Sequence, residues 1–255
     1  MSVPILSARE VNKTFGAVVA ARDINVDVAE GEVVGVIGAN GAGKTTFVNM
    51  VTGYLKPSAG RIQFEGADIT ALPPRAIIRR GIGRSFQIPQ VWGSMTVAEN
   101  VEVTLGIAAP GPLPFWRKLD RPEMRARADA VLARFGIAEH AEVEARLLSQ
   151  GVRKLLDVAL ATVRQPRLLL LDEPTSGISA DEKFGVMETL MNALKDQQVT
   201  VLFVEHDMQI VERYATRVLA FYDGTIIADG APSKVLADAD VRRHVIGETH
   251  RPGKH

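Results

Sequence analysis

Nine residues constrain this chain more than any others: Gly38-Ala39-Asn40-Gly41-Ala42-Gly43-Lys44-Thr45-Thr46. The apolar run Glu32–Ile37 before them predicts a buried strand, and Thr45–Gly53 after them predicts a helix. Strand, glycine-rich turn and helix in that order are what a phosphate-binding loop requires. Glycines let the backbone curl until several N–H groups aim at one anion. The helix start adds partial positive charge at the same place. Lys44 has the length to reach the β- and γ-phosphates of a nucleotide, and the Thr45 hydroxyl can bind Mg²⁺. The pattern G-x-x-x-x-G-K-T in this context predicts nucleotide binding through Gly38, Asn40, Gly41, Ala42, Gly43, Lys44, Thr45 and Thr46.

The rest of the chain supplies carboxylates, an amide and a histidine in positions that suit that chemistry. Arg167–Glu173 is an apolar run closing on two acids, the pattern of a buried parallel strand ending at a ligand edge. Asp172 is placed to join a Mg²⁺ shell, and Glu173 is a candidate general base for an attacking water. Val199–Glu205 reads as a second buried strand with His206 just past its end, suited to a γ-phosphate or water contact. Gly81–Gln87 reads as a turn and a strand ending in Gln87, an amide placed to bind the metal or position water. Near the N-terminus, Ile5–Val11 and Ile24–Val28 alternate as half-exposed strands around a turn at Lys13–Gly16. That arrangement leaves Phe15 either stacked on a nucleotide base or packed in the core.

Between the early strands and the acidic strand the character becomes helical. Thr96–Leu105 begins with Thr96 and Glu99 at capping-box spacing. Ala108–Pro114 carries three prolines and a glycine and is read as a loop. Arg121–Phe135 places Met124, Ala128, Val131, Leu132 and Phe135 on one helical face. Trp92 and Trp116 fall in this part, either as anchors for a partner or as core of a small helical subdomain. Leu148–Val152 precedes a helix read from Arg153 to Arg164, and a further helix spans Asp181–Lys195. Asp223-Gly224 between Arg217–Tyr222 and Thr225–Ala228 signals a hairpin. His140, His244, His250 and His255 have no comparable placement, and Arg251–His255 reads as a polar, frayed end.

Composition narrows the class. The 255 residues suffice for one large or two small domains, and 46% hydrophobic residues supply a core. Thirty basic residues balance thirty acidic ones, so no net charge argues for a nucleic-acid partner. No cysteine is present, which excludes disulfides and thiolate-bound metal. Met1–Glu10 lacks a basic segment with a long apolar run behind it, and no apolar run approaches the length of a membrane span. A role at a membrane would therefore pass through partner subunits.

Taken in order, Phe15, GANGAGKTT, Gln87, LSQGV, LLLLDE, TSGIS and His206 resemble the nucleotide-binding subunit of ATP-binding-cassette transporters over nearly the whole chain. The phosphate loop alone also fits kinases and small GTPases; the Ser149–Gly151 stretch and the late histidine do not. The resemblance implies an α/β fold of the P-loop NTPase type, with a RecA-like parallel-sheet core, an N-terminal antiparallel β region and an α-helical subdomain. It implies one nucleotide-binding domain over residues 1–255, with the helical insert at about residues 88–150. By resemblance, Phe15 stacks on the base and Gly38–Thr46 form the phosphate loop. Gln87 is the Q-loop amide, and Ser149 and Gly151 belong to the signature that meets the γ-phosphate of a facing subunit. Asp172 and Glu173 are the metal-side acid and the base, Ser176–Ser179 the D-loop and His206 the switch histidine. The metal set is then Thr45, Gln87 and Asp172, and the ligands are ATP and Mg²⁺.

Two motifs depart from the usual pattern. LSQGV stands for LSGGQ, keeping Ser149 and Gly151, and the D-loop closes on Ser179 instead of Asp. Phe86–Gln90, Met95–Asn100, Glu205–Met208 and the Gly230-Ala231-Pro232 turn look like the subfamily serving branched-chain amino-acid importers. Cassettes for urea or amide import and for lipopolysaccharide export share much of this pattern. The resemblance implies an ATPase paired with a second cassette, a copy or a paralogue. It implies transmembrane permease subunits and, through them, a solute-binding protein. It places the chain peripherally at the cytoplasmic face of the inner membrane. A non-hydrolysing regulatory subunit is the reading from another class, which intact Glu173 and His206 disfavour. A soluble cassette of DNA repair or translation is disfavoured by the lack of tandem cassettes or long coiled-coil inserts.

Overall fold

The computed structural model describes residues 3–109, 122–195 and 197–247. Trp116, most of the Ala108–Pro114 loop, His250, His255 and the polar C-terminal end lie outside the described residues. In chain order the strands are β1 (Leu6–Phe15), β2 (Val18–Val28), β3 (Val33–Gly38), β4 (Ala59–Phe64) and β5 (Ala67–Asp68). They continue with β6 (Ile82–Arg84), β7 (Leu168–Asp172), β8 (Thr200–Val204), β9 (Arg217–Tyr222) and β10 (Thr225–Gly230). The helices are α1 (Lys44–Val51), α2 (Pro74–Arg79), α3 (Val97–Ala108) and α4 (Pro122–Arg134). After these come α5 (Gln150–Thr162), α6 (Lys183–Lys195), α7 (Met208–Tyr214) and α8 (Pro232–Ala237). The chain divides into two compact units, one made of the segments up to Ile82 and from Thr200 onward, the other of Gly83–Val199. The fold is α/β.

The first unit carries two sheets. One is antiparallel, in the order β2-β1-β4-β5. In the other, β3 lies between β8 and β9 and is parallel to both, and β10 adds antiparallel to β9. The residues explain the difference. β1 and β2 mix buried and exposed positions, β2 alternating from Ile24 to Val28, as strands with one wet face do. β3 and β8 are buried almost throughout, the pattern of strands covered on both faces. Gly35 makes this cover possible: a Cβ there would come 3.1 Å from Val211 and 3.3 Å from Ala215. The turn expected at Lys13–Gly16 is shorter than the sequence suggests. β1 continues through Phe15, paired with Val18, and the reversal falls at Gly16, whose φ of 57° suits glycine.

The second unit is helical around β7. All four leucines of Leu168–Leu171 are at most 1% exposed, which stabilises the fold by about 2 kcal/mol for each side chain. α3, α4, α5 and α6 pack in the series α4 on α3, both on α5, and α5 on α6 and β7. Thr96 caps α3 in a full capping box, accepting from Glu99 N–H at 3.2 Å while Glu99 takes the Thr96 N–H at 2.7 Å. Buried Asn100 ties that helix to the preceding loop: its side chain donates to Trp92 and Thr96 carbonyls and accepts from Trp92 N–H. On α4, Ala128 and Leu132 are buried, as is Phe135 just beyond it. The Trp92 side chain is 42% exposed. α5 begins at Gln150, earlier than Arg153, because the Ser149 hydroxyl accepts from Val152 N–H and caps the helix there. β6 ends at Arg84, so Gln87 sits three residues beyond the strand instead of at its tip.

Candidate functional site

The chemistry-bearing residues fall into two groups, one in each unit. In the first, β3 ends at Gly38 and α1 starts at Lys44. Gly38, Gly41 and Gly43 have φ values of 157°, 80° and 103°, conformations that residues with a Cβ rarely adopt. At Gly43 a Cβ would also lie 2.8 Å from the Ala20 carbonyl oxygen. The loop is therefore pressed against neighbouring backbone, and Gly224 N–H donates to the Ala42 carbonyl at 3.1 Å. Lys44 is 5% exposed, and its ammonium donates to the Gly38 and Ala39 carbonyls at 2.7 and 3.0 Å. A buried cation is thus held at the centre of a curl of backbone, at the start of a helix that no side chain caps. Ala42 is buried, Thr46 is half-buried, and Asn40, Gly41 and Thr45 are exposed. This arrangement fits a polyphosphate: a glycine-built turn with one ammonium at a helix start is the chemistry a phosphate requires.

Two more residues of that unit belong with the loop by their chemistry. His206 follows β8 directly and is exposed. Its backbone is held by the buried carboxylate of Glu205, which accepts from His206 N–H at 3.0 Å. Asp207 then caps α7 by accepting from Gln209 and Ile210 N–H groups. The histidine is therefore carried between two fixed carboxylates at the end of a buried strand. Phe15 closes β1, is 51% exposed, and has the Lys13 ammonium 5.0 Å from its ring centre. An exposed ring at a strand end is available as a flat stacking surface.

The second group is built on β7. Asp172 ends the strand, is 7% exposed, and is paired with Arg84 at 3.0 Å. Glu173, next along, has φ 49°. A non-glycine residue held there costs on the order of 1–3 kcal/mol, so its surroundings must fix it. Its carbonyl accepts from Ser176 N–H at 3.1 Å and from the Lys154 ammonium at 3.1 Å. Its carboxylate accepts from Gln87 Nε2 at 2.8 Å. Ser149 and Gly151 lie at the start of α5, with Ser149 exposed and Gly151 buried. A Cβ at Gly151 would come 3.0 Å from Val186 of α6. In the Ser176–Ser179 stretch, Ser179 donates to Glu182 at 2.9 Å, at the entry to α6.

Three side chains central to this second group escaped the reading of the sequence: Arg84, Lys154 and Asp157. Arg84 neutralises Asp172, and Lys154 and Asp157 hold the backbone around Gln87. The signal that could have found the last two is their setting: Leu155, Leu156, Val158 and Ala159 are all buried, and so are both charges among them. Charges inside a buried run need partners. Burial raises the Asp157 carboxyl above its ordinary value, against the lowering effect of the Gln90 and Phe86 N–H groups and of Lys154.

Asp172, Gln87 and the Thr45 hydroxyl are oxygen donors of the kind that Mg²⁺ prefers. Among the described residues there is no cluster of three or more His, Cys, Asp or Glu able to cage a metal alone. Also among the described residues, no helix is long and apolar enough to cross a membrane.

Residues 21–176 match the family described as ABC transporter. The chain is 34% identical over 255 residues to the high-affinity branched-chain amino acid transport ATP-binding protein LivG of Escherichia coli K12, covering 97% of this chain and all of that protein. Among solved structures it is similar to the ADP conformation of MJ1267, an ATP-binding cassette of an ABC transporter, with a TM-score of 0.83 and 33% identity. That match covers 97% of this chain and 100% of the other. It is also similar to the dimeric post-hydrolysis state of the cassette MJ0796 bound to ADP and Pi, with a TM-score of 0.75 and 25% identity over 89% of this chain and 98% of that one.

Proposed function

The chain belongs to the ABC transporter family, and from that premise we propose that it is the ATP-hydrolysing subunit of an importer for branched-chain or other hydrophobic amino acids. The whole chain serves as one nucleotide-binding domain. It works as one of two cassettes, its partner a copy or a paralogue, docked on permease subunits at the cytoplasmic face of the membrane. A solute-binding protein delivers the amino acid to those permeases.

Each residue has a distinct task in this reading. Phe15 stacks on the adenine. The backbone from Gly38 to Thr46 receives the phosphates, and Lys44 neutralises the β- and γ-phosphates. Thr45, Asp172 and Gln87 would hold Mg²⁺, which would supply positive charge beside the phosphates. Glu173 accepts a proton from the attacking water as its oxygen bonds to the γ-phosphorus. The bridging oxygen leaves on ADP, and inorganic phosphate is released. Gln87 aims the Glu173 carboxylate and His206 steadies the γ-phosphate. Ser149 and Gly151 close on the nucleotide of the facing cassette. Most of the rate enhancement is positioning and charge stabilisation.

The observation that carries this reading is the Glu173 carboxylate at the end of β7, held by Gln87 at 2.8 Å beside buried Asp172. Membership of the family and the similarity to LivG support the amino-acid assignment. The test is reconstitution of the chain with its permease subunits in vesicles, with ATP hydrolysis measured as the binding protein is loaded. Leucine, isoleucine or valine should accelerate hydrolysis. Acceleration by urea or a short amide alone would overturn the substrate assignment.

A further inference from the structure

We infer that Lys154 and Asp157, one turn apart on α5, are positioning residues for hydrolysis: they fix the main chain on both sides of Gln87 and at Glu173, so that the amide and the carboxylate meet. The inference rests on reading Glu173 as the base, and extends it to two side chains buried behind it.

The hydrogen bonds that do the positioning go to backbone groups. The Lys154 ammonium, 3% exposed, donates to the carbonyls of Gln87 at 2.5 Å, Glu173 at 3.1 Å and Phe86 at 3.4 Å. An ammonium has three N–H donors, and here it meets carbonyls on both partners of the Gln87–Glu173 bond. Asp157, 5% exposed, accepts from Phe86 N–H at 3.1 Å through one oxygen and from Gln90 N–H at 2.7 Å through the other. Its carboxylate thereby cinches the loop from Phe86 to Gln90, with Gln87 inside the cinch. Gln90 adds a bond from its own amide to the Ile88 carbonyl at 3.0 Å.

Stability alone gives no reason for such a pair. Charges buried in a helix face cost desolvation, and apolar residues of similar volume often serve stability as well or better. What the charges supply that apolar residues cannot is direction: their partners lie 19 to 71 positions away in sequence, and these hydrogen bonds tie those backbones to α5. Glu173 needs such fixing, since its φ of 49° is a conformation that local preference opposes. The same helix is capped by Ser149, so one element carries the signature at its start and grips Gln87 and Glu173 further along.

The experiment compares the full-length wild type with Lys154→Met, Lys154→Arg and Asp157→Ala. It reads steady-state ATP hydrolysis, ATP affinity by equilibrium binding, and hydrogen exchange across residues 86–90. Lys154→Met and Asp157→Ala should lower kcat by roughly thirtyfold or more, the scale of a misaimed general base. ATP affinity should stay within about threefold, because neither side chain binds nucleotide, and Lys154→Arg should recover most of kcat. Exchange at 86–90 should rise in both damaging variants. Unchanged kcat, or kcat and ATP affinity falling together, would overturn the inference in favour of a structural role. So would failure of Lys154→Met to fold combined with a fully active Asp157→Ala. Exchange separates the two readings. A wild type without ATPase activity, yet with faster 86–90 exchange in the variants, would remove Glu173 as base and leave the clamp. Unchanged exchange would remove the clamp while wild-type hydrolysis stands.

Discussion

Gln87 donates from Nε2 to Glu173 Oε2 at 2.8 Å, although 86 residues separate them in the chain. Neither is held by regular structure: Gln87 lies beyond β6, and Glu173 turns into a left-handed conformation just after β7. Two residues outside the sheet, each tethered by its backbone, thus present one amide and one carboxylate to each other. The amide fixes the direction of the carboxylate, which is what a base requires before water arrives.

Removing that amide should disorient Glu173 without unfolding the chain, because Gln87 is exposed. Gln87→Ala is expected to lower kcat by roughly tenfold or more, the usual cost of losing a group that orients a ligand or base. The Mg²⁺ concentration for half-maximal activity should rise, as a proposed ligand is lost. Steady-state assays over a Mg²⁺ titration check both.

Lys44 is already buried among loop carbonyls, so its ammonium is in place before phosphate arrives. Lys44→Ala should abolish the gain in melting temperature on adding ATP and Mg²⁺. In the wild type, ligand at a hundred times its Kd stabilises by about 2.7 kcal/mol. Thermal melts with and without nucleotide read the difference; a retained shift would show that the loop binds without its lysine.

Phe15 offers an exposed ring, so truncating it disturbs little packing. Phe15→Ala should leave stability within about 0.5 kcal/mol. ATP affinity should fall by roughly tenfold, since stacking on a base contributes on the order of 1–3 kcal/mol. Phe15→Trp should restore it. Nucleotide titration of the three proteins gives the answer, and unchanged affinity would return Phe15 to a purely structural place.

Asp157 yields a prediction for stability against pH. Burial raises its carboxyl above the ordinary 3.8. Between the unfolded and folded values the native state therefore holds more proton than the unfolded state, and stability falls as pH rises through the folded value. The stability of the wild type relative to Asp157→Asn should be greatest below the ordinary 3.8 and decline as pH rises through the folded value. Urea midpoints for both proteins across that range test the sign; a difference moving in favour of the wild type would contradict it. A clamp that loses stability on ionising is consistent with a residue kept for positioning.

The parts of the site legible in the sequence are those whose chemistry is local. The Gly38–Thr46 loop, the strand running into Asp172 and Glu173, the strand ahead of His206 and the Thr96–Glu99 capping box all declare themselves within a few residues. Strand ends were less legible: β1 runs on to Phe15 because it pairs with β2 across Gly16, and pairing is set by a partner strand. The place of Gln87 was misjudged for a related reason. Asp157 and Lys154 draw residues 86–90 out of line with β6, and they are about seventy positions away. Buried charges that act on distant backbone leave only a weak local mark, two ionisable residues inside an apolar helical run. α5 begins early because Ser149 caps it, a feature the LSQGV resemblance alone did not fix.

The most direct measurement is ATP hydrolysis by the full-length chain against Glu173→Gln, with nucleotide binding followed in parallel. Glutamine keeps the size of the side chain and removes its capacity to take a proton. The account predicts loss of kcat by roughly a hundredfold or more with ATP still bound. Hydrolysis persisting near the wild-type rate in Glu173→Gln would contradict Glu173 as the base and the mechanism built on it.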